Sequence, residues 1–390
     1  MGAGMPRTRF IPITPETLTW AIRESGWHRE ELVERLGVTS EVLRSWEDGT
    51  AQPNLTQFRT IANTLKRPAA LFLLPEPPSL LGPIVEFRHP PDVGRAALVP
   101  DELTKLRTTT RLQRTASWIS RELRHDAVRL PHVRIASDSE QAAGAARIVL
   151  AIDVAEQAAW KSSSLAFAAW RTATHRLGVL VFCLPLGRDA CRGFSVWDDQ
   201  APVIVVNTWW NVEARIFTLF HEYGHLLTRT NSACIRSAAQ LRLDGGDLAE
   251  RWCERFAAAL LLPWGPVEQF LTRQMGWQPG RMLRTLDELR TLARRFRVSL
   301  RAAALRLIEK EVATWDLYGA IPEWSDQKPA AGGGGGRPRL AIREDEWGAR
   351  ATSLFIAALD EGLMSRADVL SHLDVADTDL DTMARFPSSS

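Results

Sequence analysis

Between residues 14 and 74, apolar positions recur every three or four residues in short runs, each closed by a turn residue. Thr14-Pro15-Glu16 reads as an N-cap followed by proline at the first helical position, opening a helix that runs to about Glu24 and stops at Ser25-Gly26. A second helix covers about His28 to Leu36 and ends at Gly37. A third starts at Thr39 or Ser40 and ends at Gly49, and a fourth runs from about Leu55 to Leu65. A short helix after Pro68 holds Leu71, Phe72, Leu73 and Leu74. The pattern predicts an all-helical domain over 14–74, and the turn Gly37-Val38-Thr39 gives its second and third helices the spacing of a helix-turn-helix.

The next stretch, 75–137, reads as a linker and connecting helix: proline-rich from Pro75 to Pro91, then a polar, arginine-bearing helix from Asp101 to about Leu123. Helical patterning continues through 138–176. Val179 to Leu184 and Val203 to Val206 are short, β-branched and bounded by turn residues, which predicts strands; Gly193 to Trp197 is a candidate third. Two helices follow, about Val212 to Thr228 and about Asp247 to Leu262, the latter stopped by Pro263. Helical patterning resumes over about 281–313. Residues 324–339 (WSDQKPAAGGGGGRPR) read as a flexible linker, because ordering glycine is entropically costly and nothing there can bury. A small helical C-terminal unit is expected over 340–386, leaving a mainly helical α+β domain with a small sheet over 138–323.

Composition narrows the class. A chain of 390 residues is too long for one ordinary core. With 45% hydrophobic and 24% charged residues it has the make-up of a folded soluble protein. A net charge of +2 does not argue for nucleic acid or an acidic membrane surface. The cysteines Cys183, Cys191, Cys234 and Cys253 form no CxxC pair, so free thiols in a reducing compartment are expected. The start, MGAGMPRTRF, has no apolar core of a signal peptide, and no apolar run approaches membrane-spanning length. A cytoplasmic location with no membrane partner is the expectation.

The sharpest chemical signal is HEYGH at 221–225. Helical residues four apart share a face, so His221 and His225 present two imidazoles to one ion, with Glu222 one step round as the expected general base. Two histidines, a third carboxylate and an open position describe a catalytic Zn2+ site rather than a structural one. The apolar neighbours Ile216, Phe217, Leu219, Phe220, Leu226 and Leu227 supply a buried surface for this helix. Gly224 removes a side chain between the histidines, where another segment can come close. The third ligand is expected from the next helix, where Glu250 and Glu254 are also four apart; Asp244 and Asp247 are weaker candidates. Cys253 reads as a buried inert thiol and Tyr223 as a packing residue, while Arg171 and Arg215 read as structural ion-pair formers. Trp209 and Trp210 just precede the metal helix, where core packing and lining of a substrate cleft are both open.

The stretch ARIFTLFHEYGHLL, followed by ERWCERFAAALLLP, resembles the ImmA/IrrE metallopeptidases, as do LAFAAWRTATHRLGVLVFCLPL and GFSVWDDQAPVIVVN. The N-terminal ELVERLGVTSEVLRSWEDG resembles the Xre-type helix-turn-helix domain often fused ahead of such peptidases. The resemblance implies a zincin-like fold, His221 and His225 as zinc ligands and Glu222 as general base. It places Glu250 on the ligand glutamate. Glu254 falls where asparagine is usual and so stands as the rival ligand. It also implies a protein substrate of the Xre-type repressor class, whose cleavage relieves repression.

For the N-terminal domain, residues 1–75 hold nine Lys/Arg against eight Asp/Glu. The expected recognition helix offers Thr39, Ser40 and Arg44 to a partner, but also Glu41 and Glu47. Phosphate neutralisation supplies most DNA affinity, so this is a poor footprint for DNA, and protein docking stands beside it. Trp20 and Trp46 are expected in the core. The competing reading of the whole chain is a non-enzymatic transcriptional regulator or sensor with a degenerate protease fold. The intact HExxH favours the enzyme, because a structural helix has no use for Glu222.

Overall fold

The computed structural model describes residues 10–78, 100–188, 190–230, 232–234, 248–327 and 338–385. The chain divides into two compact units, Met1–Thr109 and Thr110–Ser390.

In the first unit, α1 (Pro15–Arg23), α2 (Arg29–Leu36), α3 (Ser40–Glu47) and α4 (Leu55–Thr64) precede a 3-10 turn at Ala69–Leu73. Each start has a local cause. Pro15 opens α1, the Thr39 hydroxyl accepts from the Val42 N–H at the head of α3, and Asn54 and Gln57 form a reciprocal capping box on α4. Gly37 ends α2 in the left-handed region at φ 64°, so the chain turns directly into α3. Leu18, Leu32, Leu43, Trp46, Phe58, Ile61 and Phe72 close the core, and Trp20 joins it as expected.

The second unit is reached through α5 (Pro100–Glu122). Then come α6 (Ser139–Leu150), α7 (Val154–Ala159) and α8 (Ser163–Arg176). Next are β1 (Leu180–Leu184), β2 (Gly193–Val196), β3 (Val203–Asn207), α9 (Val212–Thr228), β4 (Ser232–Cys234) and α10 (Leu248–Leu261). Five further helices are α11 (Trp264–Met275), α12 (Leu286–Phe296), α13 (Leu300–Glu309), α14 (Trp315–Gly319) and α15 (Arg339–Asp360), followed by α16 (Arg366–Leu373) and α17 (Asp377–Arg385). The sheet runs in the order β1-β3-β2-β4, with β1 parallel to β3 and the other pairs antiparallel. β1 and β3 are buried along their whole length, which is why both read as unbroken apolar runs rather than alternating ones.

Three elements escaped the sequence reading: α11, β4 and the five-residue α14, which lies beyond the helical patterning expected over about 281–313. α11 follows Pro263, which was expected only to stop the previous helix; proline also starts one, because its fixed φ suits the position before a first turn. β4 is three residues long, too short for any alternation to show. The expected glycine-rich linker overlaps a 3-10 turn at Glu323–Asp326 and the bridge from Gln327 to Trp210; residues 328–337 lie outside the described residues, as do residues 79–91 of the expected proline-rich stretch. The C-terminal helices are part of the second unit. Trp347 on α15 meets Phe182 of β1 edge-on at 5.4 Å, and its indole N–H donates to the Leu373 carbonyl.

The core of this unit is aromatic where it holds the metal helix. Trp170 packs edge-on against Phe220, and Trp252, Phe256 and Tyr223 stack in sequence between α10 and α9. Arg147 on α6 is buried and donates to the Leu260 carbonyl and Gln157, which satisfies the C-terminal end of α10 without solvent.

Candidate metal centre

α9 is buried on nearly every side, so its whole face is packing surface rather than an amphipathic stripe. Asn211 caps it by accepting from the Ala214 N–H, and Arg229 ends it at φ 56°. His221, Glu222 and His225 are 2%, 0% and 1% exposed. α10 crosses at Gly224, where an added Cβ would lie 3.1 Å from Cys253 Sγ and 3.3 Å from Phe256 Cδ1. The segment that Gly224 admits is therefore α10, which carries Glu250.

The three side chains converge. His221 Nε2 lies 3.1 Å from His225 Nε2 and 3.1 Å from Glu250 Oε2, and His225 Nε2 lies 3.4 Å from Glu250 Oε1. Among the described residues these form a group able to hold a metal ion. Ligands at about 2.0–2.2 Å around a tetrahedral ion stand about 3.3–3.6 Å apart, so the spacing fits a small divalent cation. The donor set also fits: two imidazoles and a carboxylate leave a fourth position open. The far nitrogen of one ligand is held as well, with His225 Nδ1 at 2.8 Å from Thr230 Oγ1, which directs Nε2 to the cluster.

Glu254 is absent from this group. Its side chain lies within electrostatic reach of His221, Glu250 and Tyr318, and burial pushes its carboxyl up to about 7, helped by the negative Glu250. Burial opposes charge on His225 and on Glu250. On His225 the neighbouring Cys253 and Glu250 outweigh it and raise the imidazole to about 10; on Glu250 the two imidazoles outweigh it and hold the carboxyl well below the usual range. Metal binding by such a group is coupled to proton release, because the ligand imidazoles must be neutral.

Glu222 is not one of the ligand group; it lies within electrostatic reach of His225, His221 and Glu250 and also touches the sheet. The Ser195 hydroxyl on β2 donates to Glu222 Oε2 at 2.9 Å. Complete burial pushes the Glu222 carboxyl up against the pull of His225 and His221. β2 comes this near because residue 193 is glycine: a Cβ there would lie 2.5 Å from Thr218 Cγ2 and 2.6 Å from the Val205 carbonyl oxygen. Ser195 and Thr230 were not singled out from the sequence; Ser195 lies inside the family-like string GFSVW, the one signal that pointed to it.

The remaining candidates are placed as follows. Cys253, Cys183 and Cys191 are buried thiols. Tyr223 packs against Phe256 and Phe220, and burial raises its phenol. Arg171 and Arg215 were expected to form ion pairs; both donate to main-chain carbonyls, Arg171 to those of Val181 and Asp345, Arg215 to those of Trp210 and Thr208. Trp209 is 45% exposed at the head of α9, while Trp210 carries the Arg192 guanidinium over its ring at 4.2 Å. Asp244 and Asp247 lie outside the described residues. In the first unit Thr39, Ser40 and Arg44 are exposed on one side of α3, with Thr39 also serving as its cap.

Residues 174–308 match the family model of the IrrE N-terminal-like domain, Peptidase_M78. The match runs from the end of α8 through α13 and contains all four residues of the centre, so the motif resemblance to the ImmA/IrrE metallopeptidases is supported by an independent comparison. It supports a metallopeptidase-like function for a mainly helical α+β domain holding a His-His-Glu metal cluster. No curated protein matches the chain. Among the described residues no helix is long and apolar enough to cross a membrane.

Proposed function

We propose that the chain is a zinc-dependent endopeptidase in which His221, His225 and Glu250 hold the ion and Glu222 is the general base. The observation that carries this reading is the convergence of three ligand atoms within 4.8 Å of one another, next to a carboxylate that is not one of them. A bound zinc ion would polarise the scissile carbonyl and make water more acidic.

The chain's own residues supply the proton handling. Glu222, held by Ser195 at a fixed angle, takes the proton from the attacking water as the oxygen–carbon bond forms. It then delivers that proton to the leaving nitrogen as the carbon–nitrogen bond breaks. Burial raises its proton affinity, which suits a group that must first accept a proton and then give it up near neutral pH. A structural metal site needs no such carboxylate.

The substrate class follows from the resemblance: a protein regulator of the Xre type, cut so that repression is relieved. The N-terminal unit fits docking onto such a protein better than it fits DNA. Its α3 presents Arg44 beside Glu41, and Arg29 is already paired with Glu47 at 2.6 Å, leaving little net positive charge for phosphates. The test is cleavage of co-encoded Xre-type proteins by wild type beside Glu222→Gln. Loss of cleavage with metal retained supports the assignment; equal cleavage by both removes it.

A further inference from the structure

A second site lies away from the metal centre, at the beginning of β1, the edge strand at the opposite end of the sheet from β4. A cavity of about 470 Å³ opens there between the end of α8, the Gln200-Ala201 turn, α5 and α15. That volume is in the range of small-molecule sites, about 300–1,000 Å³.

Its wall is cationic and rich in donors. Arg176 and Arg350 line it, together with His125, His175, Ser120 and Ser353. None of the described lining residues is acidic. Arg350 is partly withdrawn from water, and burial lowers its guanidinium with no carboxylate nearby to offset the cost. Neither Arg176 nor Arg350 has an ion-pair partner among the described residues. The opposite wall is apolar, formed by Leu180, Leu354 and Ala357.

The deeper part of the wall holds polar atoms that lack partners. His175 is 8% exposed, and its Nε2 has no hydrogen-bond partner among the described residues; the same is true of Gln200 Oε1. Leaving such atoms buried and unpaired costs about 1–3 kcal/mol each in general, so natural structures seldom keep them without a reason. His175 is also wedged in place. Gly348, at φ 76°, breaks α15 where a Cβ would lie 2.6 Å from Arg171 Nη2 and 2.8 Å from His175 Cε1. Only glycine fits that contact, and the break brings α15 against α8 just ahead of Arg350.

We propose that this cavity binds a small organic phosphate of mononucleotide size, with Arg350 and Arg176 pairing the phosphate and Leu180, Leu354 and Ala357 covering the organic body. Guanidinium groups match phosphate oxygens two at a time, and two of them carry more positive charge than a single carboxylate would neutralise. An apolar wall has no use for inorganic phosphate alone.

The test uses the full chain with 5′-AMP, 5′-GMP, 5′-CMP and 5′-UMP in isothermal titration, with inorganic phosphate as the head group by itself. At least one nucleotide binds with one-to-one stoichiometry below millimolar Kd and more tightly than inorganic phosphate. Arg350→Gln weakens that binding at least tenfold, and Ser353→Trp, which fills the cavity, removes it; both keep wild-type metal content. No nucleotide binding at 1 mM overturns the proposal, as does binding unchanged in both variants, or inorganic phosphate binding as tightly as every nucleotide. Should neither variant fold, the His175 ring resonance of wild type decides: a saturable shift on nucleotide addition supports the site, and an unmoved resonance overturns it.

Discussion

Gly224 and Cys253 set the distance between the two helices of the metal centre, since a Cβ at Gly224 would stand 3.1 Å from Cys253 Sγ. The same constraint acts between β2 and α9 at Gly193, where the obstacle is the Val205 main chain, at 2.6 Å, as well as a side chain. Gly224→Ala gains about 1 kcal/mol of helix propensity but overpacks a filled core, at a cost of about 1–3 kcal/mol. Gly193→Ala meets backbone that cannot rotate away. Urea unfolding should show Gly224→Ala destabilised by about 1 kcal/mol and Gly193→Ala by more. The reverse order would mean that the helix crossing, not the strand, is the tighter contact.

Ser195 acts on Glu222 alone among the four residues of the centre. Removing a hydrogen bond to a charged group costs about 1.5–3 kcal/mol, which as barrier height is about tenfold or more in rate. Ser195→Ala should therefore lower kcat by at least that factor at unchanged metal content. An unaltered kcat would show that Glu222 is positioned by the helix without β2.

Thr230 holds the outer nitrogen of His225. Loss of such a partner reduces metal affinity about 10–100-fold. Thr230→Val should do so in competition with a chromophoric chelator, and affinity equal to wild type would mean that the imidazole is fixed by packing.

How much of this was legible beforehand depends on how local the cause is. Thr39, Asn54 and Gly37 mark helix ends through their own side chains or conformational freedom, so the first unit's helices were readable to within a residue or two. His221, Glu222 and His225 were readable because one helix fixes their spacing. The preference for Glu250 over Glu254 came from the family resemblance alone, since both sit on one face of α10, and spacing cannot tell which reaches the histidines. Ser195 and Thr230 act across strands and loops, where no sequence period carries information. The C-terminal helices gave no sign that they cover β1, because Phe182 and Trp347 each read as an ordinary apolar residue in its own element.

His175 gives the chain a titration outside the metal centre. Burial, with Arg171 and Arg350 nearby, lowers its imidazole from the ordinary 6.5 to about 3. Between those values the unfolded chain takes up a proton that the folded one refuses, so stability falls as pH drops through that window and is fully present above 6.5. The slope from this one group is at most about 1.4 kcal/mol per pH unit. Unfolding at pH 7 and pH 5 should show wild type losing more stability than His175→Gln; equal losses would place the acid sensitivity elsewhere.

Metal content by mass spectrometry, measured on wild type, Glu250→Ala and Glu254→Ala purified side by side, tests the centre itself. Wild type and Glu254→Ala should each hold about one divalent ion per chain, while Glu250→Ala loses most of it. A metal-free wild type, or an ion kept by Glu250→Ala and lost by Glu254→Ala, would contradict the assignment of His221, His225 and Glu250 as the ligand set.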